Sequence, residues 1–90
     1  IATDNFYLSQ NYPNPFNPNT KINYELQITN YVSLKIFDVL GNEVASLVNE
    51  KQNAGSYSIN FDGANIPSGI YFYKLSSGGF TDTKRMILIK

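Results

Sequence analysis

The sequence contains no cysteine, no histidine and no tryptophan, and its seven Lys and Arg balance seven Asp and Glu in 90 residues. Each absence removes a class of chemistry. Without Cys or His there is no Ser-His-Asp or Cys-His nucleophile system, no thiolate or imidazole metal site and no disulfide framework. Zero formal net charge gives no basic field for a phosphate backbone and no polybasic anchor for an anionic bilayer. Nucleic acid is therefore not an expected partner. No apolar run approaches the roughly 20 residues that span a bilayer as a helix, so membrane insertion is not expected either.

What is present points to a folded chain. Hydrophobic residues make up 42% of it and charged residues only 16%, with seven Tyr and six Phe, which is too apolar for a disordered segment. Ninety residues suit one small domain burying about 60–65% of its unfolded surface, so the expected stability is on the order of 5–9 kcal/mol. Ile1 is not an initiator methionine and no secretory leader pattern precedes it, so any targeting segment of the full protein is expected to be missing from this chain.

The dominant pattern is alternation of period two, broken by Gly, Pro, Asn and Asp. Over Lys21 to Leu26, the side chains of Ile22, Tyr24 and Leu26 fall on one face and Lys21, Asn23 and Glu25 on the other. Tyr31 to Phe37 repeats this with Val32, Leu34 and Ile36. Asp38 to Gly41 reads as a type I turn, and Glu43 to Val48 returns as the second arm of a hairpin. After Asn53, Ala54 and Gly55, the next strand alternates Tyr57, Ile59 and Phe61 with small polar residues until Asp62 and Gly63. Ile66 to Gly69 is again a turn, and in Gly69 to Leu75 the set Tyr71, Tyr73 and Leu75 is the predicted core face.

Ser77, Gly78 and Gly79 lead into Phe80 to Ile89, whose phase is ambiguous because Met86 and Leu88 alternate with Ile87 and Ile89. That ambiguity predicts a bulge or burial on both faces. A short strand at Phe6 to Leu8 completes seven. The spacing of Val44, Leu47 and Val48 is the nearest approach to a helical period and is a minority reading. The predicted fold is all-β, a seven-stranded antiparallel immunoglobulin-like β-sandwich without the Cys-Trp-Cys signature. Its core is expected at Ile22, Leu34, Ile36, Ile59, Phe61, Tyr71 and Tyr73, with Tyr71 as a hydrogen-bonded corner and Gly41 and Gly69 at turn positions.

Gln10 to Thr20 departs from strand and turn composition. Tyr12, Pro13, Asn14, Pro15, Phe16, Asn17, Pro18 and Asn19 predict a stiff, polyproline-like surface arm. As a functional element the arm is a presented recognition segment. As a structural one it is a loop whose Tyr12 and Phe16 close one end of the core.

Tyr12, Pro13, Asn14, Pro15 and Phe16, then Asp38, Gly41 and Val44, then Ala54, Gly55 and Tyr57 stand in a telling order. Ser68, Gly69, Tyr71, Tyr73 and Leu75 follow, and Lys84, Met86, Leu88 and Lys90 close the chain. This order resembles the C-terminal sorting domains of the bacterial type IX secretion system, with a likeness in pattern to the flagellar hook-capping immunoglobulin-like domain. The resemblance implies a sorting domain over residues 8–90, with residues 1–7 as linker or the start of the first strand. It implies a non-catalytic, cofactor-free signal: a passenger N-terminal to the domain enters the periplasm, an outer-membrane translocon recognises the domain, and a sortase-like peptidase removes it. The product is then secreted or held at the cell surface.

The expected recognition residues are Lys84, Arg85, Met86, Ile87, Leu88, Ile89 and Lys90, together with Tyr12, Pro13, Asn14, Pro15 and Phe16. An apolar strand bracketed by cations suits a sheet edge offered for β-augmentation, and equally a last strand guarded against aggregation. Three rival readings carry less. A carbohydrate-binding or adhesive module has rings enough, but most fall at inward positions. A calcium site from Asn14, Asn17, Asn19, Asp38 or Asp62 competes with their use as turn formers. An enzyme with paired carboxylates needs convergence, and Glu25, Glu43, Glu50, Asp38, Asp62 and Asp82 fall on turns or outward positions.

Overall fold

Seven strands and no helix make up residues 6–90, the part described by the computed structural model. They are β1 (Phe6–Leu8), β2 (Asn19–Leu26), β3 (Asn30–Phe37), β4 (Glu43–Gln52), β5 (Gly55–Asp62), β6 (Gly69–Ser77) and β7 (Phe80–Leu88). The linker expected over residues 1–7 lies, for residues 1–5, outside the described residues. Where a helix competed at Val44 to Val48, the chain runs as β4, because pairing along all of β3 satisfies its backbone in extended form.

All strand pairs are antiparallel, in two sheets ordered β1-β2-β5 and β4-β3-β6-β7. The inward phases of the alternation meet between them: Ile22, Tyr24 and Leu26 from one sheet, and Val32, Leu34, Ile36, Tyr71, Tyr73, Leu75, Met86 and Leu88 from the other. The β6–β7 register is continuous from Gly69↔Leu88 to Ser77↔Phe80, so the bulge expected in the last strand is absent. Met86 and Leu88 are buried while Ile89 is 52% exposed, so the core takes a single phase. Ile59 is a second correction, because it packs against the core yet is only half-buried. β5 is a sheet edge, and among the described residues no strand lies beyond it.

Two buried tyrosine hydroxyls tie the sheets together. Tyr24 of β2 donates to Gln52 Oε1 at the end of β4 (2.6 Å), and Tyr73 of β6 donates to the carbonyl of Ser9, just after β1 (2.6 Å). Burial pushes both phenols up from 10.0 to about 12. Tyr71 forms the expected corner, donating to the Pro67 carbonyl four residues upstream (2.6 Å). In the β3–β4 turn, Asp38 Oδ1 accepts the N–H groups of Leu40 and Asn42 (both 2.9 Å), and Gly41 takes a φ of +88° that a side chain would disfavour. Hydrogen bonds from that turn, the Asn42 N–H first, hold the Asp38 carboxyl below its usual range. Gly69 opens β6 with a φ of +157°, which a side chain would disfavour as well.

Candidate recognition surface

The arm and the end of β7, far apart in sequence, form one surface. Phe16 pairs in parallel with Leu88: its N–H donates to the Ile87 carbonyl (2.9 Å) and its carbonyl accepts the Ile89 N–H (2.9 Å). Asn14 Oδ1 accepts the Ile87 N–H (2.9 Å), and Gln10 Nε2 donates to the Arg85 carbonyl (2.7 Å). These are the backbone groups that β7, as an edge strand, would otherwise leave unpaired. The arm therefore occupies the edge over Arg85 to Ile89 instead of leaving it open for a partner strand.

The arm is also fastened on its other side. Tyr12 and Lys21 exchange backbone hydrogen bonds (3.0 and 2.9 Å), extending the margin of β2 beyond β1. Buried Asn11 donates from Nδ2 to Thr20 Oγ1 (3.0 Å) and to the Pro13 carbonyl (3.1 Å), and Thr20 Oγ1 donates to that carbonyl as well (2.8 Å). A projecting polyproline-like arm is thus replaced by a latch spanning both sheets. The prolines lack donors, and the neighbouring amide and hydroxyl side chains supply the bonding.

Tyr12 and Phe16 have opposite fates. Phe16 is 2% exposed, its ring edge-on to Phe61 at 6.0 Å, whereas Tyr12 is 79% exposed and closes no core. Gly63 makes the close packing at Phe16 achievable: a Cβ there would lie 3.0 Å from Leu88 Cδ2 and 3.3 Å from Phe16 Cε2.

The two lysines thought to bracket the tail also differ. Lys84 shares the inward phase of Met86 and Leu88 and is half-buried, lining a cleft of about 280 Å³ between β1 and β7 with Phe6, Leu8 and Phe80. Lys90 is bound: its Nζ donates to the carbonyls of Ala64 (2.8 Å) and Ile66 (2.7 Å), and its N–H to Ser68 Oγ (3.0 Å). Arg85, Ile89, Tyr12, Pro13 and Pro15 remain exposed on the latch, with Ile87 half-buried.

Among the described residues no three His, Cys, Asp or Glu side chains converge on a metal-sized site. Three of the five residues considered for calcium have other duties, Asn14 Oδ1 on the Ile87 N–H, Asp38 on its turn and Asp62 Oδ1 on the Ala64 N–H (2.9 Å). Sequence reasoning missed Gln10, Asn11 and Thr20, whose one local signal is the density of amide and hydroxyl residues beside the prolines, and Gly63, which carries no such signal.

A family model described as "Secretion system C-terminal sorting domain" matches residues 10–90. Among solved structures, one of PorZ from Porphyromonas gingivalis is similar at 24% identity with a TM-score of 0.61. The likeness covers 97% of this chain and 12% of that one, and it shows the fold. PorZ itself is described as an essential bacterial surface component of the type-IX secretion system. No curated protein matches the chain.

Proposed function

This chain belongs to the family of secretion-system C-terminal sorting domains, and from that premise we propose that it directs a passenger preceding it through the type IX translocon. The family places the domain in export to the cell surface or medium. The proposal adds the route and the machinery: passage through the periplasm, recognition by the outer-membrane translocon, and removal by a sortase-like peptidase. The match over residues 10–90 carries this reading. The latch supports it by gathering both sequence-predicted recognition segments at one end of β7.

A non-catalytic signal acts by offering a surface, so the exposed residues of the latch are the ones proposed to be read. Arg85 and Ile89 lead, flanked by Tyr12, Pro13 and Pro15. The test is a periplasmic reporter fused to the domain in a bacterium with a compatible type IX system. The parent fusion is expected at the surface or in the medium, and Arg85→Glu with Ile89→Ser is expected to strand a folded fusion in the periplasm. Parent and variant exporting equally would overturn the assigned surface. An intact domain that failed to export while retaining polysaccharide would overturn sorting in favour of a carbohydrate-binding module.

A further inference from the structure

Five of the seven tyrosines use their hydroxyl inside the molecule: Tyr24 donates to Gln52, Tyr31 to Asn49, Tyr57 to the Asn53 carbonyl, Tyr71 to the Pro67 carbonyl and Tyr73 to the Ser9 carbonyl. Tyr7 and Tyr12 are the two left over. Among the described residues neither hydroxyl has a hydrogen-bond partner, and the two residues stay 65% and 79% exposed.

Both rings stand on one face. Tyr7 is paired with Glu25 and Tyr12 with Lys21, and directly opposed residues point to the same side of a sheet, so both flank the outward face of β1-β2-β5. Glu25 and Lys21 are four steps apart on β2, which separates the two tyrosine backbones by roughly 13 Å. Two shallow hollows fill that span. One of about 410 Å³ is lined by Tyr7, Ser9, Asn23 and Ser58, and one of about 290 Å³ by Tyr12, Lys21 and Asn60. Asn23↔Ser58 and Lys21↔Asn60 are successive outward rows of the β2–β5 ladder, so the hollows lie end to end.

The chemistry of this face selects its ligand. Besides Tyr7, the outward positions of β1, β2 and β5 carry only Asn, Ser, Lys21, Glu25 and Asp62, with no aliphatic side chain. The exposed aliphatic residues Val39, Leu40 and Ile70 belong to the other sheet and its β3–β4 turn. The centre between the rings is therefore polar, where a protein interface has its apolar core. One lysine against two carboxylates gives no cationic excess for a phosphate-bearing ligand. A sugar chain fits both features, because its C–H faces stack on aromatic rings and its hydroxyls both donate to and accept from amides and hydroxyls.

We propose that this face binds an extended, uncharged oligosaccharide, with one sugar on Tyr7, another on Tyr12 and the hydroxyls between them on Asn23, Ser58 and Asn60. Tyr7, Asn23, Ser58 and Asn60 take no part in the surface proposed for export, so glycan binding stands or falls independently of that reading.

The test is calorimetric titration of the unmodified domain with cellohexaose, mannohexaose and the hexamer of N-acetylglucosamine, with backbone-amide NMR shifts to locate the ligand. At least one hexamer is expected to bind and to shift the amides of Asn23, Ser58 and Asn60. It is expected to bind about tenfold or more tighter than its own disaccharide, which does not reach both rings. Tyr7→Ala and Tyr12→Ala are each expected to weaken binding about five- to tenfold while the thermal melt stays cooperative. Tyr7→Phe keeps the stacking ring and is expected to bind like the parent, as is Tyr31→Ala on the other sheet. No binding of any of the three hexamers overturns the proposal, as does binding that both alanine variants leave unchanged or that shifts amides elsewhere. Tighter binding of hexagalacturonate than of every uncharged hexamer would overturn the uncharged class in favour of an acidic glycan.

Discussion

Tyr24 and Tyr73 show how single atoms join the layers. Each ring fills core volume while its hydroxyl crosses to the opposite sheet, so one side chain supplies burial and a buried hydrogen bond. Their raised pKa sets a pH dependence. The fold holds these protons more tightly than the unfolded chain, whose phenols titrate near 10.0, so the stabilisation is complete below that pH and drains as pH rises through about 12. The expected outcome is cooperative unfolding in that alkaline window, with tyrosinate absorbance and loss of β circular dichroism changing together. Tyrosinate forming fully before the fold is lost would refute the link.

At the scale of elements, the arm and β7 stabilise one another. β7 lends the arm a ladder to bind, and the arm covers an edge that would otherwise invite pairing. Phe16 is the rivet, since its ring sits in the core between Phe61 and the close approach of Gly63. Phe16→Ala is expected to cost about 3 kcal/mol or more in denaturant melts and to speed exchange at the Ile87 and Ile89 amides. Tyr12→Ala, at a largely exposed ring, is expected to change stability by less than about 0.5 kcal/mol. Equal effects of the two would undo the distinction between rivet and surface.

For the whole molecule, the proposed recognition residues overlap with those that hold the fold, which limits how a sorting domain of this kind can be dissected. Removing Met86 to Lys90 deletes two fully buried core side chains, the partner of the arm, and the Lys90 clamp on the Ala64 and Ile66 carbonyls. That deletion is expected to abolish the cooperative thermal transition. Arg85→Glu with Ile89→Ser, confined to exposed side chains, is expected to keep it. An export defect from the deletion alone therefore reports folding, and only the point variants report recognition. A deletion variant that melts like the parent would show that the tail is dispensable to the core.

Alternation by itself determined the all-β class, the strand boundaries near turns, the Tyr71 corner and most of the core, because a period of two and local turn chemistry act between neighbours in the chain. The family was also legible there, in spaced residues from Tyr12 to Lys90. The tertiary structure alone decided which edges stay open. Ile59 carries the same pattern as Ile22, its partner on β2, yet it is half-buried where Ile22 is fully buried, because among the described residues β5 has no outer neighbour strand. Tyr12 and Phe16 look alike in the sequence, yet only Phe16 reaches the core, since its place is set by a bridge to Leu88 at the far end of the chain. Sheet order and long-range bridges depend on contacts across that whole separation, and no local pattern encodes them.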